Sequence, residues 1–168
     1  DPDGGYLIKG SWWGSPMNRI VLRYADVMLM RAEAEAQLGS DLADAMKQVD
    51  DLRDRASRST AMLGNYDLKY GVSMKVRPYN DVPGQDEVLK RVKMERRLEM
   101  AMESERFFDL VRWGEAKAVI QKYYDEEAKK CNIYEGAVFS EDKNEYLPIP
   151  HQQIAASNGH YKQNIGGW

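Results

Sequence analysis

The strongest structural signal in this chain is the stretch VKMERRLEMAMESERFFDLVRWGE, residues 92–115, which combines helical periodicity with four arginines and six acidic residues. At helical spacing, charged side chains form a single row between two aliphatic ends. Such groups leave water only when they are paired and hydrogen-bonded. We therefore predict a helix with a structural ion-pair network and with the Trp113 indole over one arginine, although an exposed charged face fits the same spacing. The predicted network comprises Arg96, Glu99, Glu103, Arg106, Asp109 and Arg112.

Two shorter helices precede this stretch and are predicted to form a hairpin over residues 19–58. Apolar residues recur every three or four positions over residues 19–38, and Gly39 ends that run. A second periodic run follows, with Ser40 or Asp41 as its N-cap. Because the connection is so short, the two helices must be antiparallel. Hairpins of this size are typical of tetratricopeptide-like repeats, so we predict an all-α fold with long irregular loops.

The rest of the chain alternates between a loop, a helical region and a tail within one domain, residues 1–168. Residues 59–85 lack periodicity and carry glycines and prolines, which predicts a loop. Asp86 is the expected N-cap of a helical region over residues 86–124. Its first helix is predicted to reach about Arg106 and to continue after a bend near Ser104 or Asp109, and Gly114 allows a further break. The two prolines of LPIP predict an extended C-terminal tail over residues 145–168, with one short helical turn after them.

Composition excludes several classes of partner and cofactor. With 24 basic and 27 acidic residues, the net charge is −3 and the signs are interleaved, so no nucleic-acid partner is expected. The single cysteine, Cys131, excludes an internal disulfide. His151 and His160 lack a third ligand at metal spacing, and no phosphate-binding glycine motif occurs. We therefore expect neither a metal ion nor a cofactor.

The beginning of the chain carries no targeting signal. It lacks an initiator Met and the basic and apolar regions of a signal peptide, and no apolar run reaches the length of a transmembrane helix. These features indicate either a cytoplasmic protein or a chain without its true N-terminus. The missing Met favours a processed chain or a fragment.

Glu99 and Glu103 raise the question of glycosidase chemistry. A glycosidase needs two carboxyl groups that face each other across the sugar, about 5–9 Å apart. These two glutamates lie one turn apart on the same predicted helix and are flanked by arginines. We therefore expect ion pairing rather than catalysis.

Four segments resemble, in chain order, the C-terminal half of SusD-like (RagB/SusD) glycan-binding proteins. The segments are RYADVMLMRAEA at 23–34, LRDRA at 52–56, ERRLEMAMESERFFDLVRW at 95–113, and LPIP with KQNIGG between 147 and 167. One departure is Ser104, which stands where that family usually has glycine. Serine is tolerable inside a helix, so this departure does not change the predicted fold.

The resemblance implies an all-α, non-enzymatic lipoprotein on the extracellular face of the outer membrane of a Gram-negative cell. It implies a lipid anchor on an N-terminal segment that this chain lacks, an oligosaccharide or polysaccharide ligand, and a SusC-like TonB-dependent transporter as partner. On this interpretation the chain is the C-terminal part of a protein for nutrient uptake and polysaccharide utilisation. A helical-repeat scaffold that binds a protein, and no sugar, is the alternative.

A glycan site needs aromatic platforms for the apolar C–H faces of sugars, with polar groups at their edges. Five aromatic residues lie in the glycine- and proline-rich stretches, where such platforms can project from a helical scaffold. They can equally pack onto the helices as ordinary loop residues. The predicted glycan-binding residues are Trp12, Trp13, Tyr66, Tyr70 and Tyr79.

Overall fold

The computed structural model describes residues 21–59 and 76–164, and all regular secondary structure in these two ranges is helical. The helices are α1 (Tyr24–Leu38), α2 (Leu42–Ser57), α3 (Gln85–Glu99), α4 (Arg106–Arg112), α5 (Ala116–Glu127), a 3₁₀ helix (Asn132–Tyr134) and α6 (His151–Ala156). The predicted all-α, tetratricopeptide-like fold class is confirmed. The chain divides into two compact units, Asp1–Met100 and Ala101–Trp168.

The α1–α2 hairpin is built as its capping residues predict. Gly39 has a left-handed backbone (φ +64°), and the Ser40 N–H donates to the Glu35 carbonyl oxygen at 3.2 Å, which closes α1. Asp41, rather than Ser40, is the N-cap of α2, and its carboxylate accepts the Asp44 N–H at 2.9 Å. The first helix begins at Tyr24 instead of residue 19, because the preceding Arg23 has an extended backbone.

The first unit buries one apolar face of each of its helices α1, α2 and α3. Ala32 and Ala36 of α1 are fully buried, and their small size allows the neighbouring helices to approach closely. A second, smaller cluster joins Leu29 and Leu52 to Met100, which follows α3. The main core cluster consists of Ala32, Ala36, Ala45, Met46, Val49, Val88 and Val92.

Helix α3 starts and ends at residues other than those predicted. Its N-cap is Gly84 rather than Asp86, which lies in the first turn. It ends at Glu99, well before Arg106, so the predicted helical region over residues 86–124 is three helices with two breaks. The first break contains left-handed backbone at Met102 (φ +69°) and Ser104 (φ +72°). The bend predicted near Ser104 is therefore a break between two helices, and Gly114 (φ +68°) lies in the second break.

The second unit is held together by a small core and by side-chain amides. Leu110, Ala116 and Phe139 form its buried cluster. The Gln121 amide accepts the Phe139 N–H at 2.9 Å and donates to the Ala137 carbonyl oxygen at 3.1 Å, which fixes that segment to α5. These bonds satisfy a backbone carbonyl oxygen and a backbone N–H that lie outside the helices and so have no helical hydrogen-bond partner.

The C-terminal LPIP segment is extended, as its prolines predict, and is paired with a side chain instead of a strand. The Gln163 amide accepts the Ile149 N–H at 2.8 Å and donates to the Ile149 carbonyl oxygen at 2.9 Å. Asn164 adds a hydrogen bond to the Leu147 carbonyl oxygen at 2.6 Å. Helix α6 follows Pro150 directly, at the position predicted for a helical turn.

Candidate functional site

Glu99 connects the ends of the three helices in the first unit. Its carboxylate accepts hydrogen bonds from Nη1 of Arg23 and, at 2.5 and 2.7 Å, from Nη2 of Arg55. A second Arg23 nitrogen donates to the Glu99 backbone carbonyl at 2.5 Å, which satisfies an acceptor at the end of α3. The Glu99 side chain is only 8% exposed, so its carboxylate is largely shielded from water and pairs with both guanidinium groups.

Two further ion pairs lie between the helices of this unit. The Arg96 guanidinium donates to the Asp26 carboxylate at 2.5 Å, and that of Arg53 to the Glu95 carboxylate at 2.9 Å. Burial raises the pKa of Glu95, and the hydrogen bond from Arg53 opposes that rise. These pairs connect α3 to α1 and to α2.

The six residues of the predicted network therefore do not form one continuous helical row. Arg96 and Glu99 are on α3, but Glu103 lies in the break that follows it. In the second unit, Arg112 donates to the Asp109 carboxylate at 3.0 and 3.1 Å, and Asp109 is buried. The guanidinium carbons of Arg106 and Arg112 lie 5.6 and 4.9 Å from the centroid of the Trp113 ring, as expected for an indole over arginine.

Of the five predicted glycan-binding aromatics, Tyr79 is the one within the described residues. The guanidinium carbons of Arg53 and Arg91 each lie 4.3 Å from the centroid of its ring. The Asp50 carboxylate accepts the backbone N–H of Tyr79 at 2.7 Å, which fixes the residue on α2. A sugar that stacks on the Tyr79 ring has to displace one of these arginines. The role of Tyr79 in glycan binding stays a prediction. The other four, Trp12, Trp13, Tyr66 and Tyr70, lie outside the described residues.

Sequence reasoning missed Tyr24, the first residue of α1, which lies between two clefts. The first cleft measures about 430 Å³ and is lined by Tyr24, Asp51 and Arg55 among others. The second measures about 330 Å³ and is lined by Tyr24, Lys47 and Asp51 among others. The Tyr24 side chain is 78% exposed. Its position inside the periodic run of residues 19–38 concealed this exposure, because that run predicted a buried helix.

Comparison with known proteins identifies the family. The model of the SusD family matches residues 4–168, nearly the whole chain. The chain belongs to the SusD family. Proteins of this family are non-catalytic binding proteins with an accessory role in glycan binding. Ser104 has a left-handed backbone, which glycine adopts with less strain than serine.

Two relatives of this SusD family member come from Formosa agariphila. The chain is 24% identical to SusD-like protein P2 over 152 residues, which is 90% of the chain and 26% of that protein. It is 35% identical to SusD-like protein P25 over 104 residues, which is 62% of the chain and 17% of that protein. The chain thus spans about a quarter or less of the length of these relatives.

Neither a membrane-spanning helix nor a metal site occurs within the described part of this SusD family chain. None of the described helices has the length and apolar composition needed to cross a bilayer. No cluster of three His, Cys, Asp or Glu side chains there could hold a metal ion.

Proposed function

We propose that the intact protein binds an oligosaccharide or polysaccharide at the extracellular face of the outer membrane and delivers it to a SusC-like TonB-dependent transporter. A lipid anchor on an N-terminal segment holds it at that surface. The observation that carries this proposal is the match to the SusD family over residues 4–168. Nutrient uptake and polysaccharide utilisation are the processes that this capture serves.

The buried carboxylates of Glu95 and Glu99 support binding without catalysis. A glycosidase needs a carboxyl group that reaches the glycosidic bond. Both carboxylate oxygens of Glu99 accept hydrogen bonds from guanidinium groups, and the Glu95 side chain is only 5% exposed. These carboxylates therefore hold helices together and are not directed at a substrate.

A glycan array probed with the intact protein tests this function. We expect saturable binding to one class of polysaccharide, and no shortened products when that polysaccharide is incubated with the protein and analysed by chromatography. A variant with Trp12→Ala and Trp13→Ala tests whether those two residues contribute. Binding to no glycan on the array, together with co-purification of a protein partner, would instead support the helical-repeat scaffold.

A further inference from the structure

We propose that the two clefts beside Tyr24 bind a neutral pyranose ring of an oligosaccharide, so that part of the glycan site lies on the α1–α2 hairpin. This inference rests on the proposed glycan-binding function and specifies its location. The volumes of the clefts, about 430 and 330 Å³, are within the range of small-ligand sites.

The Tyr24 ring provides an aromatic surface for the C–H face of a sugar. The Tyr24 side chain is 78% exposed and lines both clefts. A sugar ring that stacks on it therefore also contacts the walls of one of these clefts. Tyr79 differs in this respect, because two guanidinium groups already lie 4.3 Å from the centroid of its ring.

Arg55 and Asp51 supply the polar edges of the site. Arg55 is 57% exposed, and Glu99 fixes its guanidinium through Nη2. Asp51 is 50% exposed, and its Oδ2 accepts a hydrogen bond from Lys47 at 2.5 Å. The guanidinium donates and the carboxylate accepts, which together suit the hydroxyl groups of a sugar.

The mixture of charges in the clefts determines the class of sugar. The first cleft contains Arg23 and Arg55 as well as the Asp51 carboxylate. Both guanidinium groups already pair with Glu99, and Lys47 already pairs with Asp51, so these charges are matched within the protein. A further carboxylate on the sugar would be repelled by Asp51, whereas a neutral hydroxyl group can donate to it. Because Glu99 binds both arginines, this wall of the cleft is formed before the ligand arrives, which reduces the entropy lost on binding.

Isothermal titration calorimetry on the intact protein tests the proposal. The probes are hexasaccharides from α-glucan, β-glucan, xylan and mannan, with oligogalacturonate as the acidic probe. We expect Tyr24→Ala to weaken binding of a neutral hexasaccharide roughly ten-fold, and Tyr24→Phe, which keeps the ring, to stay within about three-fold of wild type. Asp51→Asn should also weaken it. The matched control is Tyr161→Ala, at a tyrosine that is 56% exposed in the second unit, and it should bind as wild type.

Four results would overturn the proposal. If wild type binds a hexasaccharide and Tyr24→Ala binds it equally well, the site is elsewhere and glycan binding stands. If wild type binds none of the probes, the proposed function itself fails. If Tyr24→Ala lowers the melting temperature while Asp51→Asn binds as wild type, Tyr24 packs against another part of the intact protein. A preference for oligogalacturonate would refute the neutral sugar.

Discussion

The Arg96 guanidinium and the Asp26 carboxylate meet at 2.5 Å inside the first unit, and their side chains are only 5% and 10% exposed. This pair joins α3 to α1, two helices that are far apart in the chain. Removing one member of a buried pair is costly, because the remaining charge stays out of water.

We expect Asp26→Asn to lower the free energy of unfolding by about 3 kcal/mol, since it removes a buried negative charge that pairs with Arg96. Urea unfolding of the intact protein, followed by circular dichroism, measures this. The control is Asp54→Asn, which breaks an exposed pair with Arg58 and should change the free energy by less than about 1 kcal/mol. Equal effects of the two substitutions would mean that burial does not strengthen the first pair.

Glu95 should make the stability of the protein depend on pH. Burial raises its folded-state pKa above the ordinary value of 4.5, so the folded state holds the proton more tightly than the unfolded state. The stabilisation that the protonated Glu95 gives the folded state is therefore complete below pH 4.5, and it is lost as pH rises through the raised pKa of the folded state. In urea unfolding between pH 4 and pH 8, Glu95→Gln should become more stable relative to wild type as pH rises.

The control for this pH dependence is Asp81→Asn, because the pKa of Asp81 is shifted down whereas that of Glu95 is shifted up. The hydrogen bond from Arg91 lowers the pKa of Asp81 below its ordinary value of 3.8. The contribution of ionised Asp81 to folding stability is present above pH 3.8 and is lost as pH falls through its lowered pKa. This contribution therefore stays constant between pH 4 and pH 8. A Glu95→Gln variant with the same flat profile as Asp81→Asn would contradict the prediction.

Ser104→Gly should stabilise the protein by roughly 0.5–1 kcal/mol, because the left-handed backbone at Ser104 strains any residue with a Cβ atom. Thermal unfolding of the intact protein measures this as a higher melting temperature. The converse control is Gly114→Ala, where φ is +68° and an added Cβ has open space, so only the backbone strain acts. It should lower the melting temperature, and a rise there would contradict the argument.

Gln163→Ala should release the LPIP segment, because it removes both hydrogen bonds to the backbone of Ile149. Amide hydrogen exchange measured by mass spectrometry on the peptide that contains Ile149 should become faster. The control is Gln152→Ala, an exposed glutamine on α6, which should leave the exchange of that amide unchanged. Unchanged exchange in Gln163→Ala would show that the prolines alone hold the segment.

Features that depend on neighbouring residues could be predicted from the sequence. Gly39 ends α1 and Asp41 caps α2 through hydrogen bonds to residues within five positions, so the hairpin was predictable. The same holds for the short helix after LPIP and for the resemblance to the SusD family, which rests on contiguous motifs. The first residue of α1 and the last residue of α3 were not predicted, because the periodic pattern continues past both ends of these helices.

The amino-acid order alone therefore specified the helical class, the hairpin and the family, because periodicity and capping act over a few residues. Which residues pair with the charged side chains of Arg96 and Glu99 could be seen only in the folded chain. Arg96 pairs with a residue 70 positions away and Glu99 with one 76 positions away, distances at which spacing carries no information. Packing likewise placed two arginines on Tyr79 and left Tyr24 open beside its clefts, because exposure is set by which helices meet and not by the period of any one of them.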